Sequence, residues 1–184
     1  MGALGDGGCI TTNDFNIYKR LLKLRNYGSE QKNVNELVGH NSRLDEIQAA
    51  FLNLKLRAID ETIDRKRNLT ELYKKLLPPE FIFSFDLLHS PSVFHILPVR
   101  HLDREKVRRD LLDAGIQTDI HYPTPLYQQP ALATLFVGEK YPISDIIHQT
   151  VFSLPISVVL VEKDLEVALV NYNRSPTDGV GLLS

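Results

Sequence analysis

The chain has 184 residues, of which 43% are hydrophobic and 24% are charged, a composition typical of a folded globular protein of one domain or slightly more. Its formal net charge of −2 excludes a globally basic surface for nucleic acid, and no apolar run reaches the ~18 residues of a membrane span. A single cysteine, Cys9, excludes an internal disulfide, and no signal-peptide pattern begins the chain, so we expect a cytoplasmic protein.

The chain begins with a glycine-rich segment, "GALGDGG", that leads into a predicted strand at Cys9–Thr12. This segment lacks the Gly-Lys-Ser/Thr ending of a phosphate loop, so its spacing favours a turn into an edge strand. Asn13 or Asp14 then caps a predicted helix through "FNIYKRLLKLRN", and Gly28 ends it.

A polar segment, "GSEQKNVNELVGHNS", predicts a loop, and a long helix follows from about Arg43 to Leu77. Pro78 and Pro79 end this helix. Because its apolar face is unusually full, we expect another part of the protein or a second chain to cover it. The apolar positions are Leu44, Ile47, Phe51, Leu54, Ile59 and Ile63.

Beyond Pro79 the pattern indicates alternating strands and helices. "SVFHILPVR" predicts a strand with Pro98 at an edge or bulge, and "DREKVRRDLLDAG" predicts a helix capped by Asp103 and stopped by Gly115. "IQTDIHY" predicts a second strand, "ISDIIHQTVFSLPIS" a short helix running into a strand, and "EKDLEVALVNYN" a last helix. This order is typical of a small α/β domain.

The segment "GHNSRLDEIQAA" is the first candidate site. Asn41 and Arg43 stand directly before the predicted long helix, with Ser42 as its candidate N-cap. An amide and a guanidinium beside free backbone N–H groups at a helix start can bind an anion. A capped, solvated helix end explains the same residues, and the spacing leaves both interpretations open.

The segment "HYPTPLYQQPAL" is the second candidate site. It concentrates His121, Tyr122 and Tyr127 among three prolines in a rigid loop directly after a predicted strand. Flat rings with polar tips suit the lip of a sugar or base site, although a structural loop remains the alternative. The six histidines lack metal-ligand spacing, so we expect no metal site.

Taken in order, "GALGDGG", "LRNYGS", "NSRLDEIQAAFLNLKL", "GIQTDIHYPTPLYQQPAL" and "SLPIS" resemble segments of the nucleotide-sugar aminotransferases, the DegT-type branch of the fold-type-I pyridoxal-phosphate enzymes. The resemblance runs from Gly2 to about Asn173. The wording "IHYPTPLYQQP" is most similar to the branch that aminates 3-keto sugars on a thymidine diphosphate carrier. An α/β fold follows from the resemblance, with this chain as the C-terminal part of a fold-type-I transferase.

The resemblance also implies an organisation of the chain. Residues 1–42 would be a remnant of the large cofactor-binding domain, and residues 43–79 would form the long connecting helix. Residues 80–174 would form the small C-terminal α/β domain, and residues 175–184 match nothing in the family and would be a flexible tail.

The resemblance assigns roles to the two candidate sites. Asn41 and Arg43 match the family's "NSR", which reaches across a dimer interface toward the partner's active site, where the Asn contacts the cofactor phosphate. His121 and Tyr122 match the "HYP" lip near the sugar nucleotide. The implied cofactor is pyridoxal 5'-phosphate, the implied amino donor is glutamate, and the implied assembly is a homodimer.

In this family the lysine that holds pyridoxal phosphate as a Schiff base stands just before the glycine-rich segment, which places it two residues before Met1. No lysine of this chain has that context, so we expect no catalytic residue within it and no transamination by the chain alone. A non-catalytic remnant that dimerises or binds a partner is the alternative. A third possibility is that a separate chain supplies the missing half.

Overall fold

The computed structural model describes residues 2–83 and 92–174. These residues form two compact units, and the boundary between the units lies between Asp60 and Glu61. Helices and strands both occur, in agreement with the α/β prediction. The predicted division at residues 42 and 79 stays a prediction, and the predicted tail at 175–184 lies outside the described residues.

In the first unit, helix α1 (Phe15–Leu24) begins where the sequence predicts. The Asp14 carboxylate accepts the backbone N–H groups of Asn16 at 2.7 Å and Ile17 at 3.1 Å, which satisfies two donors at the helix start. Beyond the helix, Gly28 has a φ of +79°, and a Cβ atom there would lie 1.7 Å from the Leu37 carbonyl oxygen. Only glycine fits this close backbone approach.

Two predictions for the first unit are wrong. Residues 9–12 form no strand, because no described segment pairs with them and a strand needs a hydrogen-bonded neighbour. The predicted loop after α1 contains an antiparallel hairpin of β1 (Ser29–Gln31) and β2 (Val34–Asn35). Asn33, with a φ of 68°, supplies the left-handed turn conformation.

The predicted single helix over residues 43–77 is also wrong. The structure has α2 (Glu46–Arg57) and α3 (Ile59–Leu76), with Ala58 between them at φ −106° and ψ 17°. The sequence contains the reason, because the apolar stripe advances by five residues across this point instead of three or four. One continuous helix would carry the two halves of the stripe on different faces.

The second unit is organised around β3 (Leu97–Arg100) and β4 (Val151–Leu154), which pair antiparallel. Ile82 forms a bridge with Arg100 of β3, and Asp119 forms one with Ser153 of β4. The predicted strand "IQTDIHY" reduces to the Asp119 bridge. Within the described residues, the segment makes no further pairing with β4 beyond this bridge. The Asp119 carboxylate accepts the next backbone N–H, that of Ile120, at 2.7 Å.

Helices α4 (Arg104–Asp113), α5 (Pro142–Thr150) and α6 (Glu162–Arg174) confirm the predicted helices of the second unit. The proline-rich segment before α5 contains two short 3-10 helices, Leu126–Gln128 and Pro130–Leu135. Helices and strands together enclose one hydrophobic core, and no helix in the described part of the chain is long and apolar enough to cross a membrane. The core comprises Leu69, Tyr73, Leu77, Phe81, Phe94, Leu97, Val99, Val107, Leu111, Ile116, Phe152, Leu154, Leu165 and Leu169.

Candidate functional site

The first candidate site differs from its predicted geometry. Helix α2 begins at Glu46 with Asp45 as its N-cap, so the prediction of Ser42 as the N-cap is wrong and Asn41 and Arg43 do not directly precede the helix. The Ser42 backbone N–H instead donates to the Arg25 carbonyl at 2.9 Å. The neighbouring residue Asn41 forms an isolated antiparallel β-bridge with Asn26. The turn that follows α1 therefore takes up the backbone groups of this segment.

The side chains of Asn41 and Arg43 nevertheless lie together. Arg43 Nε donates to Asn41 Oδ1 at 3.3 Å, and the guanidinium lies 6.0 Å from the ring centroid of Tyr27. Both side chains are exposed, and in the described ranges the remaining N–H groups of each make no further hydrogen bond. A guanidinium held beside an amide is a donor set that suits a phosphate group.

The second candidate site is built on the bridge between Asp119 and Ser153. His121 follows that bridge by two residues, and its Nδ1 lies 3.0 Å from Ser153 Oγ. Its Nε2 lies 3.6 Å from Asp119 Oδ2. Nδ1 is therefore within hydrogen-bond distance of Ser153, whereas the Asp119 carboxylate lies just beyond that distance from Nε2.

His121 lines a cavity of about 520 Å³ in the second unit. Polar groups from the Asp119 segment and apolar groups from the end of β4 share its wall. Donors and acceptors beside apolar surface suit a polar organic ligand. The lining residues are His95, Ile96, Gln117, Thr118, Asp119, His121, Ser153, Leu154, Pro155 and Ile156.

Tyr122 lines a different cavity, of about 380 Å³. Its side chain is 71% exposed, and its ring meets the His121 ring edge-on at 5.7 Å between centroids. The peptide bond between His121 and Tyr122 is cis, and the Tyr122 carbonyl accepts from His148 Nδ1 at 2.9 Å. The structure thus places the two predicted site residues on neighbouring cavities, the second lined also by Pro123, Thr124, Leu126, Gln129 and His148.

Tyr127, the third ring of the predicted lip, is held elsewhere. Its hydroxyl donates to the Asp145 carboxylate of α5, and this hydrogen bond raises the pKa of Tyr127. Its ring lies 4.8 Å from that of Tyr141, centroid to centroid. Tyr127 therefore anchors the proline-rich loop to α5, and it lines neither cavity.

Sequence reasoning missed three residues of this region, namely Asp119, Ser153 and His148. A signal existed for Ser153, which is the only polar residue in the buried run "VFSL". Nothing in the sequence pairs Asp119 with Ser153, because their contact depends on a non-local bridge. Within residues 2–83 and 92–174, no group of three or more His, Cys, Asp or Glu residues is arranged to hold a metal ion.

Comparison with known proteins identifies the family. Residues 1–169 match the DegT/DnrJ/EryC1/StrS aminotransferase family. The chain belongs to this family. The match confirms the resemblance of the sequence motifs to DegT-type proteins.

Among curated DegT-family relatives, the erythromycin biosynthesis sensory transduction protein EryC1 of Saccharopolyspora erythraea is 42% identical over 159 residues, 85% of this chain and 43% of the relative. The dTDP-3-amino-3,6-dideoxy-alpha-D-galactopyranose transaminase of Aneurinibacillus thermoaerophilus is 42% identical over 175 residues, 91% of this chain and 46% of the relative. The chain thus spans about half the length of these relatives.

Solved structures agree with this placement. DesV of S. venezuelae, determined in complex with a ketimine intermediate, superposes with a TM-score of 0.81 at 34% identity, covering 96% of this chain and 49% of DesV. A DegT DnrJ EryC1 StrS aminotransferase from Brucella abortus gives a TM-score of 0.80 at 25% identity, covering 94% of this chain and 47% of that protein. The predicted fold class, part of an aminotransferase fold, is confirmed.

Proposed function

We propose that this chain is part of a pyridoxal-phosphate-dependent aminotransferase that moves an amino group onto a keto-deoxysugar carried by a nucleoside diphosphate. The observation that carries the proposal is the 42% identity, over 91% of the chain, to a transaminase of a dTDP-linked 3-amino-3,6-dideoxy sugar. Glutamate is the proposed amino donor, and amino-sugar biosynthesis is the proposed role. The single exposed cysteine, Cys9, fits a reducing compartment such as the cytoplasm.

Asn41 and Arg43 are the proposed contacts of the cofactor phosphate. The guanidinium and the amide lie side by side with unused donors, and a phosphate oxygen accepts such donors. When bound, pyridoxal phosphate supplies the electron sink that amino transfer requires. The expectation that this chain alone is inactive stays a prediction.

His121 and Tyr122 are the proposed contacts of the nucleotide sugar. The cavity beside His121 offers polar groups to hydroxyl or diphosphate oxygens, whereas the exposed Tyr122 ring offers a flat face. Both belong to the second unit, which has its own hydrophobic core. We therefore expect nucleotide-sugar binding to be measurable with the chain as it is.

The substrate proposal is tested by titrating the full chain with dTDP-glucose in a calorimeter. His121→Ala and Tyr122→Ala should each weaken binding about tenfold, since each removes one direct contact. Tyr18→Ala is the matched control, because Tyr18 is an exposed tyrosine of the first unit. Absence of binding by the unmodified chain, or equal weakening by the control, would overturn the proposal.

The cofactor proposal is tested with pyridoxamine 5'-phosphate, which carries the phosphate but cannot form a Schiff base with surface lysines. Arg43→Ala should weaken binding about tenfold, because a charge-assisted hydrogen bond is lost. Arg25→Ala is the matched control, since Arg25 is likewise exposed. An unchanged affinity in Arg43→Ala would contradict the assignment.

A non-catalytic role in association is the second candidate, and the exposed apolar residues of α2 favour it. Ile47 is 73% exposed, Leu54 is 61% exposed and Phe51 is 47% exposed. Exposed apolar side chains grouped on one helix are typical of a surface that binds another protein chain. Light scattering after size-exclusion chromatography should show a dimer or larger species, and a monomer at micromolar concentration would contradict the proposed homodimer. Self-association without binding of either small molecule would favour the non-catalytic role.

A further inference from the structure

Ser153 is the one polar residue of strand β4, and it is almost fully buried at the wall of the larger cavity. The side chains of all four strand residues are buried, and Ser153 is 5% exposed. A buried hydroxyl without a hydrogen-bond partner would destabilise the fold. Its Oγ lies 3.0 Å from His121 Nδ1, and the described residues offer this hydroxyl no other side-chain partner. The strand therefore contains a hydroxyl whose partner is a histidine of the candidate site.

The position of this hydroxyl is fixed by the backbone on which it stands. The Ser153 N–H donates to the Asp119 carbonyl at 2.7 Å, and the Asp119 N–H donates to the Ser153 carbonyl at 3.2 Å. On its other edge β4 pairs with β3, where Ser153 lies opposite Pro98. Because the serine is held between two neighbouring segments, it can define the orientation of a ring that leans on it.

The neighbours of the His121 ring decide which nitrogen carries the proton. Nε2 lies 3.6 Å from Asp119 Oδ2, and a carboxylate oxygen only accepts. A proton on Nε2 suits this neighbour, and Nδ1 of the neutral ring is then an acceptor. The Ser153 hydroxyl completes the arrangement by donating to Nδ1.

The alternative protonation leaves a group unpaired. If Nδ1 carried a proton it would donate to Ser153 Oγ, and the hydroxyl hydrogen would lose the one acceptor that the described residues provide. A buried donor without an acceptor is unfavourable, so the contact favours the tautomer that carries its proton on Nε2 over the one that carries it on Nδ1.

We propose that Ser153 is a positioning residue, which donates a hydrogen bond to His121 Nδ1 and holds the ring with its Nε2–H available at the cavity of about 520 Å³. The role of this N–H in binding a ligand rests on the proposed function. There the Nε2–H serves an acceptor oxygen, a hydroxyl or a diphosphate oxygen of the nucleotide sugar. Asp119 is itself on the cavity wall, and its Oδ2 lies 3.6 Å from the same nitrogen.

The test is a long-range proton–nitrogen NMR spectrum of the histidine rings in the full chain, recorded about two pH units above the ordinary histidine pKa. His121 is assigned by loss of its signals in His121→Gln. The unmodified chain should show the proton on Nε2 and an Nδ1 resonance displaced in the direction that an accepted hydrogen bond produces. Ser153→Ala should remove that displacement and raise the population protonated on Nδ1.

Two further variants separate positioning from packing. Ser153→Thr keeps a hydroxyl at the same site and should restore the unmodified spectrum. Ser157→Ala makes the same substitution at an exposed serine and should leave the His121 signals unchanged. A proton on Nδ1 in the unmodified chain, or the same spectrum in Ser153→Ala, overturns the proposal. The position of the proton in the unmodified chain tests the proposal even if Ser153→Ala fails to fold.

The ring spectrum needs no ligand, so its outcome is independent of the proposed function. If the unmodified chain binds no dTDP-glucose but shows the expected ring, the proposed function fails and the positioning role stands. If dTDP-glucose binds, Ser153→Ala should weaken its binding about fivefold, the value of one lost hydrogen bond.

Discussion

The two units are stabilised in different ways. The second unit encloses a core with fully buried residues such as Tyr73, Leu111 and Phe152. The first has no buried residue in α1 or α2, and Gly28 is the one buried residue in its described part. Its local order depends on caps, turns and backbone contacts. The comparison indicates that a buried apolar core stabilises the second unit. The apolar side chains of the first unit are exposed, and a partner surface that buried them would stabilise it.

The largest expected difference between the units is the response to the same leucine truncation. Leu111→Ala, at a fully buried position, should lower the free energy of unfolding by about 2–5 kcal/mol, because it removes contacts and leaves a cavity. Leu54→Ala, at a position that is 61% exposed, should change it by less than about 0.5 kcal/mol. Urea denaturation followed by circular dichroism measures both. Equal losses would contradict the difference between the units.

Alkaline pH should weaken the second unit through its buried tyrosines. Burial raises the pKa of Tyr73, and burial with nearby Asp110 and Glu80 raises the pKa of Tyr172 to about 12. Above pH ~10 the unfolded tyrosines lose protons that the folded ones keep, so stability falls as pH rises, by up to about 1.4 kcal/mol per pH unit for each group. Denaturation at several pH values should show a shallower fall in Tyr73→Phe. An unchanged slope in that variant would count against this prediction.

A backbone substitution should expose the dependence of the first unit on close approach. Gly28→Ala places a Cβ against the Leu37 carbonyl, at a residue whose φ is +79°. The turn should therefore open, and the free energy of forming it should rise by more than about 1 kcal/mol. Gly8→Ala is the matched control, because nothing lies within 4 Å of its added Cβ. Limited proteolysis should cut Gly28→Ala faster within residues 25–40. Equal cleavage of the two variants would show that this contact does not hold the turn.

The smallest expected effect concerns the helix caps of the first unit. Asp14→Ala removes the carboxylate that accepts two backbone N–H groups and should destabilise α1 by about 1 kcal/mol. Asp45→Ala removes an N-cap residue whose side chain makes no capping bond, so it should have little effect on α2. Amide hydrogen exchange in the first turn of each helix compares them. Faster exchange in Asp45→Ala than in Asp14→Ala would reverse the expectation.

Local signals made much of the fold predictable from the sequence. Asp14 fixes the start of α1 through its own side chain, and Gly115, at a φ of +88°, follows the end of α4 as predicted. The sequence also contains a signal for the helix break at Ala58, because the apolar positions advance by five residues between Leu54 and Ile59. Treating that stripe as continuous produced the wrong single helix.

Non-local pairing explains what the sequence did not reveal. Residues 9–12 have strand-forming side chains but no described neighbour, and "IQTDIHY" pairs with β4 through the single bridge at Asp119 in the described part of the chain. His121 was a candidate from its own local segment, "HYPTPLYQQPAL", whereas Ser153 lies 32 residues further along the chain and only the bridge with Asp119 brings it to the ring. Such contacts depend on how segments pair in space.

The central claim, that the second unit carries a nucleotide-sugar site at His121, is tested most directly by mapping a bound ligand. Carbon–proton NMR spectra of the chain titrated with dTDP-glucose locate the residues whose signals move. The account predicts shifts concentrated on residues 95–96, 117–119, 121 and 153–156, which line the larger cavity, and on the adjoining contact Tyr122. Shifts elsewhere in the chain, or none at millimolar ligand, would contradict it.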